Sequence, residues 1–465
     1  MLGKTKLFLH PLARFTSFRS GLLGSLHKLL APRLTKRRAS PASPQPLPSP
    51  FSPPQPVLQI SSQHPLPPIA PRYEYIVSMT DTTLLDITML PADGRFGSGP
   101  SKIREAQLEY LTQEGAQLMG TSHRQQPIKD VVESIQNGIR NLYKLPADYE
   151  VVMGNGGATA FWDMACACLI EKKAAFGSFG SFSAKFAASV ANTPFIDAPV
   201  IFKANYGMYA LPRATGDASD ADVFAWAHNE TSTGVLAPVH RVTGARSDAL
   251  MLVDGTSAAA GTVIDPREID VYYFSPQKGF GSDGGLWVAI VSPAAIERAE
   301  KIEARAAEHP EEGRWVPPFL SFTKAVANSR KHQTLNTPAL ATLLLMNNQI
   351  DWLIKQGGLD WAQEHCTHSA SVLYRWAETS DYATPFVLNE GARSTVVVTI
   401  DIDEELSASE ITRALRANGI VDVSGYRGLG RNQLRIGVFP SVDTDDVEAL
   451  THCVDAVVEQ MRANR

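Results

Sequence analysis

Six short apolar runs constrain the fold more than any other feature of this chain. They lie at Tyr149–Met153, Ala174–Phe176, Val200–Phe202, Val223–His228, Leu250–Val253 and Val271–Phe274, separated by helical or loop stretches. Short apolar strands spaced in this way predict a mostly parallel sheet covered on both faces. In such sheets ligands collect at the carboxyl ends of the strands. Three polar motifs stand at those ends: His228-Asn229-Glu230-Thr231, Asp254 directly after Met251-Leu252-Val253, and Lys278 four residues beyond Phe274.

The first run leads into Gly154-Asn155-Gly156-Gly157-Ala158-Thr159 and then a helix through Leu169. A strand, a glycine loop and a helix start can hold a phosphate on free backbone amides. The motif is neither GxGxxG nor a P-loop. Many strand–helix turns need glycine for geometry alone, so both readings stand. Upstream, Gly94–Ser101 is a glycine-punctuated approach to a helix predicted to be capped near Ser101. A second helix is expected at 127–144, where Val131, Val132, Ile135, Ile139 and Leu142 recur at helical spacing. The loop between them sets His123 beside Arg124, either an anion-binding pair or a solvated capping loop. Beyond residue 290 the pattern turns helical, at about 293–307, 338–355 and 358–378. A strand (Ser394–Ile400), a helix (407–417), a strand (Gln433–Val438) and a helix (443–462) then predict a small second α/β unit.

Composition narrows the function classes. With 465 residues, 44% apolar and 20% charged, the chain suits about two ordinary globular domains. No apolar run approaches the ~18 residues of a membrane helix, which argues against a membrane partner. Cys166, Cys168, Cys366 and Cys453 show neither CxxC pairs nor a disulfide-framework spacing, pointing to a reducing compartment and no cysteine-held metal. Before Glu74 there are ten Lys and Arg and no acidic residue, leaving 33 basic against 48 acidic side chains in the remainder. That remainder is acidic, which argues against nucleic acid as a partner. Residues 1–80 are basic and then proline-rich, with twelve prolines in 41–71, and lack the apolar content to fold. An organellar transit peptide, a basic arm for a membrane surface or nucleic acid, and translation from Met79 are the three readings of this leader. The expected division is a leader (1–80), an N-terminal segment (81–98), a large domain (99–355) and a small C-terminal domain (356–465).

An acid closing one strand, a lysine 24 positions later and a glycine loop upstream fit pyridoxal 5'-phosphate. The lysine would carry the cofactor, the carboxylate pair with its ring nitrogen, and the helix start bind its phosphate. Seven motifs in order add a resemblance: GRFGSGPSK (94–102), TSHRQQPIK (121–129), GNGGATAFWD (154–163), AWAHNETSTGV (225–235), YYFSPQKGFGSDGGLW (272–287), NTPA (336–339) and YRGLGRNQLRIGVFP (426–440). The chain from about Gly94 onward resembles the phosphoserine aminotransferase family, class V of the aspartate-aminotransferase-like fold, and particularly its actinobacterial branch.

The resemblance implies roles. Lys278 holds the cofactor and shuttles the Cα proton, and Asp254 holds the ring nitrogen. Ala158 and Thr159 sit at the phosphate, Thr231 at the ring oxygen, and Gln277 near the phosphate. Phe182 stacks on the ring, with Phe179 close enough in register to compete for that place. Asn336 and Thr337 match residues that reach the cofactor phosphate of a neighbouring subunit, implying a homodimer with shared active sites. Arg435 matches the α-carboxylate clamp, while His123, Arg124 and Arg427 match positions receiving the substrate phosphate. Arg431 is a further candidate, and Ser98 a substrate contact. The implied reaction moves the amino group of L-glutamate to 3-phosphohydroxypyruvate, with a phosphorylated hydroxythreonine in pyridoxine synthesis as a possible second substrate, in the cytoplasm unless the leader is a transit peptide. A serine– or alanine–glyoxylate aminotransferase is the nearest rival and gives no reason for the His123-Arg124 and Arg427 set. A cysteine desulfurase would need a loop cysteine, whereas Cys366 falls in a predicted helix. A non-catalytic regulator is the reading from a different class, opposed by the intact Lys278 and Asp254.

Overall fold

The computed structural model describes residues 84–464, which fall within one compact unit, Val77–Arg465. The leader expected over 1–80, Met79 included, lies outside the described residues.

Strands β1 (Glu150–Asn155), β2 (Ala174–Ser178), β3 (Val200–Lys203) and β4 (Val223–Ala227) open the central sheet. A hairpin of β5 (Asn229–Glu230) and β6 (Val235–Leu236) stands outside it. Then come β7 (Leu250–Asp254), β8 (Val271–Phe274) and β9 (Leu286–Val291). The spatial order is β1-β9-β8-β7-β4-β2-β3. Neighbours from β8 to β3 pair in parallel, and β9 alone runs against both of its neighbours. β9 was not foreseen: Leu-Trp-Val-Ala-Ile-Val is apolar without a break, so nothing in its periodicity separates it from a buried helix segment.

Alternation along each strand builds two cores. Val151, Met153, Phe224, Met251, Val253, Tyr272, Phe274 and Val288 share one cluster with α2 (Gln126–Leu142) and α7 (Leu340–Gln356). Their sequence neighbours Val152, Ala225, Leu252, Val271, Tyr273 and Trp287 share the other. That second cluster is covered by α3 (Ala158–Cys168), α4 (Ser181–Ala191), α5 (Pro293–Glu308) and α6 (Phe322–Ser329). Period-two strands buried on both faces are what a parallel sheet between helical layers requires. Each large side chain buried here contributes about 1.5–3 kcal/mol of transfer free energy.

A three-stranded antiparallel sheet, β10 (Ala383–Pro385), β11 (Val397–Ile402) and β12 (Gln433–Gly437), forms a smaller layer. Helices α8 (Gly358–Thr379), α9 (Ala408–Ala417) and α10 (Thr444–Ala463) pack on it around Val398, Ile400, Leu434 and Ile436. The segment Gly94–Phe96 is tied to this layer. The Val421 amide donates to the Gly94 carbonyl at 2.8 Å, and the Gly437 amide donates to the Phe96 carbonyl at 2.8 Å.

Helix α1 (Glu105–Leu118) begins later than a Ser101 cap would place it. Ser101 is engaged elsewhere: its amide donates to the Gln277 carbonyl at 2.8 Å and its hydroxyl to the Lys278 carbonyl at 2.5 Å. The helix uses Gln107 instead, whose side chain accepts from the Arg104 amide at 2.8 Å.

Candidate active site

The carboxyl ends of β7, β8 and β4 converge on Lys278. Burial leaves it only 6% exposed, and its Nζ lies 2.6 Å from the Thr231 hydroxyl and 5.3 Å from the centroid of the Phe182 ring. Burial pushes the amine down from its ordinary 10.5 to about 8; the Asp254 carboxylate opposes that shift, the Arg435 guanidinium adds to it, and Glu230 opposes it. Asp254 ends β7 and accepts from the Thr256 amide at 2.8 Å. Burial raises its pKa, against the lowering effect of the Thr256 hydrogen bonds and Lys278. A buried acid and a buried amine that compensate each other mark a site able to hold a charged ring.

Arg435 on β12 reaches the same centre from the small sheet. It donates from one guanidinium nitrogen to the Thr231 carbonyl at 3.2 Å and lies 5.2 Å from the Tyr426 ring centroid. Its Nε is buried without a partner among the described residues. Phe182 stands 5.8 Å from Tyr426, whereas Phe179 is part of the sheet core. The two phenylalanines are thereby told apart, because only the first faces Lys278. Ser98 is buried with an unpartnered hydroxyl, one residue before Gly99. A Cβ on Gly99 would stand 2.7 Å from Lys278 Cε, so the 97–101 strap lies against the lysine itself.

The glycine loop divides into structural and open parts. A Cβ on Gly154 would fall 2.3 Å from the Trp287 ring, and Gly156 has a φ of +112°, so both glycines serve packing and backbone geometry. Past them, α3 starts with the Ala158 amide donating to the Ser275 hydroxyl at 2.8 Å. The amides of Thr159 and Ala160 have no partner among the described residues. Gln277 Oε1 is buried and likewise unpartnered. Two free amides at a helix start, with unpartnered buried polar atoms at Ser98, Gln277 and Arg435, fit a phosphate-bearing aromatic cofactor.

A second group is held together by contacts of its own. His123 Nδ1 lies 3.2 Å from the Thr337 hydroxyl, with Nε2 buried and unpartnered. Burial, then the neighbouring Arg124, lowers the imidazole pKa. Arg124 donates to Gln333 at 3.1 Å, and Asn155 binds the Asn336 amide and the Thr337 carbonyl. No hydrogen bond or ring contact among the described residues links His123, Arg124, Asn336 or Thr337 to Lys278, Asp254 or Arg435. Arg427 follows Tyr426 in sequence, and its exposed guanidinium has no partner among the described residues. Arg431 is already engaged: it makes a two-pronged pair with Asp401 and lies over Phe386 at 4.6 Å. Sequence reasoning missed Ser275, Tyr426 and Glu230; the last was visible inside the NET motif but carried no separate signal.

The model of the class-V aminotransferases matches residues 98–450. The phosphoserine aminotransferase of Rhodococcus jostii (strain RHA1) is 52% identical over 383 residues, covering 82% of this chain and all of the relative. The chain belongs to the class-V aminotransferases, in their phosphoserine aminotransferase group. The enzyme of Rhodococcus opacus (strain B4) matches to the same extent. As a class-V aminotransferase the protein is a transaminase whose cofactor is pyridoxal phosphate. Among solved structures, the phosphoserine aminotransferase of Cytophaga hutchinsonii superposes with a TM-score of 0.70 at 24% identity, covering 78% of this chain and 99% of that one. An alanine–glyoxylate aminotransferase from Nostoc superposes at 0.64 with 18% identity, over 81% of this chain and 98% of that one. These likenesses show the class-V fold and do not choose a substrate.

Proposed function

We propose that this aminotransferase moves the amino group of L-glutamate to 3-phosphohydroxypyruvate, giving O-phospho-L-serine and 2-oxoglutarate. The observation that carries this reading is the 52% identity to a named phosphoserine aminotransferase across that relative's whole length. The anion-binding groups support it: Arg427 has an unengaged guanidinium, and the His123 imidazole and the Arg124 guanidinium stand together on a second patch. Because that patch has no contact with Lys278 in its own chain, the reading includes a homodimer in which each His123-Arg124-Asn336-Thr337 group serves the partner's site. A cytoplasmic location fits the four cysteines, all unpaired and buried. A phosphorylated hydroxythreonine would present the same compact anion to the same cations, which extends the reading to pyridoxine biosynthesis.

Pyridoxal phosphate would be held by Lys278, by Asp254 at its ring nitrogen, by the Phe182 face, and by Gln277 and the Thr159 and Ala160 amides at its phosphate; bound there, it supplies the electron sink for breaking the substrate Cα–H bond. The protein's own work surrounds that step. Burial lowers the Lys278 pKa, so its amine gives up the ammonium proton more readily than an exposed lysine and takes the Cα proton, then returns it on the other side of the exchange. Arg435 receives the α-carboxylate on its free Nε edge, fixing the Cα–H bond toward Lys278. The strap at Ser98–Ser101 and the Phe182 and Tyr426 rings keep water from the lysine. Arg427, with the partner's imidazole and guanidinium, then selects a second anion one chain length away.

The deciding assay compares 3-phosphohydroxypyruvate with hydroxypyruvate in a glutamate-coupled reaction. Loss of charge-assisted contacts should lower kcat/KM by at least about 100-fold for the unphosphorylated acid. Equal efficiency on the two would overturn the phosphate-binding role of these groups.

A further inference from the structure

Glu230 has no place in the reaction described so far, yet it is the most completely surrounded carboxylate near Lys278. It is 0% exposed. One carboxylate oxygen accepts from the Ser183 amide at 2.9 Å, the Ser183 hydroxyl at 2.9 Å and the Phe182 amide at 3.1 Å. The other accepts from the Ser232 hydroxyl at 2.6 Å and the Ser232 amide at 3.2 Å. The Ser181 amide is taken by the Ser232 hydroxyl at 2.9 Å. The whole first turn of α4 is thus capped from the 230–232 loop. Its own N-cap, Gly180, has no side chain, and a Cβ there would lie 2.1 Å from Glu230 Cγ. The next residue along the loop is Thr231, whose hydroxyl meets Lys278.

We propose that Glu230 is a positioning residue: by gripping the first turn of α4 it sets the Phe182 ring and the Thr231 hydroxyl at their distances from the Lys278 amine. The partners explain why a carboxylate is needed. Each oxygen faces at least one backbone N–H, and a backbone amide cannot turn to accept. A glutamine would therefore point its own NH2 at an N–H on one side. An aspartate keeps the charge but is one methylene too short to reach α4 from the same backbone. The carboxylate also complements the positive end of the helix.

A purely structural cap would stabilise α4 and do nothing more. A positioning residue also moves the cofactor and the charge balance at the lysine. The charged groups facing Lys278 are Asp254 at the end of β7, Arg435 on β12 and Glu230 itself, with Thr231 as the neutral partner. Removing the Glu230 charge leaves Asp254 alone against burial and Arg435, so titration at the lysine nitrogen shifts to lower pH.

The test uses holoenzyme of wild type, Glu230→Gln and Glu230→Asp. Two readouts need no substrate: the pH midpoint of the visible absorbance change of the bound cofactor, and the visible circular dichroism that reports how its ring is held. The inference rests on the transaminase chemistry but not on the phosphorylated substrate, so a failed hydroxypyruvate comparison leaves it standing. Expected for Glu230→Gln are a midpoint shifted to lower pH, altered visible dichroism, and a kcat for the glutamate half-reaction reduced about tenfold with KM changed less than about threefold. Glu230→Asp should hold the midpoint closer to wild type while still losing dichroism. If Glu230→Gln yields no folded protein, the double variant Ser183→Ala with Ser232→Ala removes two hydroxyl donors to Glu230 and keeps its bonds from the Phe182 and Ser183 amides, while freeing the Ser181 and Phe179 amides. It should show the same dichroism and kcat changes at smaller size. A lowered melting temperature with midpoint, dichroism and kcat all at wild-type values would make Glu230 a helix cap and nothing else, overturning the proposal.

Discussion

Helix α3 and helix α4 each run for 11 residues, each follows a strand of the central sheet, and each starts after a glycine in extended backbone. Neither glycine supplies a side-chain cap, so both helices should present free amides and a positive dipole end toward the same edge of the sheet. Their fates differ. At α4 the first three amides are taken by Ser232 and Glu230. At α3 only the first is taken, by Ser275, and those of Thr159 and Ala160 stay open. An anion seat is thus a helix start that no other segment has filled. The protein's own carboxylate occupies one, and the other keeps two open amides.

Filling the open start should have the largest effect. Thr159 is exposed on the first turn of α3, so Thr159→Glu should stabilise the helix slightly while repelling a phosphate. We expect cofactor affinity to fall at least about 100-fold, roughly 2.7 kcal/mol, with the melting temperature of cofactor-free protein unchanged or raised. Unchanged affinity by fluorescence titration would show that α3 is not the seat.

The filled start is felt at Lys278, and pH shows how strongly that amine is strained by burial. Its folded-state pKa, about 8, lies below its ordinary 10.5. Below pH 8 both folded and unfolded chains bind the proton and the full burial cost is present. Between about pH 8 and 10.5 the unfolded chain binds more protons, so cofactor-free protein should gain stability as pH rises, by up to about 3 kcal/mol. Lys278→Met should flatten that rise in urea melts at pH 7.5 and 9.5. Parallel profiles for the two proteins would remove the buried-amine account.

Next in size come the two N-cap glycines. Gly180→Ala drives a methyl into the Glu230 side chain and should cost about 1–3 kcal/mol. Gly157→Ala meets nothing closer than the Ser275 hydroxyl at 3.5 Å and should stay within about 1 kcal/mol of wild type. Equal losses in thermal melts would mean that the two starts are packed alike. A comparably small effect is expected for Ser275→Ala, which removes one cap from α3 and should cost about 1 kcal/mol. A loss as large as that of Gly180→Ala would show that Ser275 carries more than a cap.

Much of this was legible beforehand. The six strand runs, the strand-end positions of Asp254 and Lys278, and the helical C-terminal half all follow from apolar periodicity, a local property. β9 was passed over, because the unbroken apolar run Leu286–Val291 reads equally as a buried helix segment. The start of α1 was misplaced because Ser101, a good cap by type, is drawn to Lys278 instead. Two glycines of the 154–157 loop turned out to serve Trp287 and a left-handed turn, which no spacing rule distinguishes from a phosphate loop.

By itself the sequence determined the class of the fold and the family to which the chain belongs, and it put Asp254 and Lys278 at strand ends. Those depend on which residues are present and in what order. The tertiary structure alone decided which helix start stays open, which phenylalanine faces the lysine, that Arg431 is held by Asp401, and that His123 and Arg124 bond to Thr337 and Gln333 rather than to Lys278 in their own chain. The reason is physical: capping, stacking and pairing are satisfied by whichever group arrives within about 3–5 Å, and that group is usually distant in sequence, as Glu230 is from Phe182.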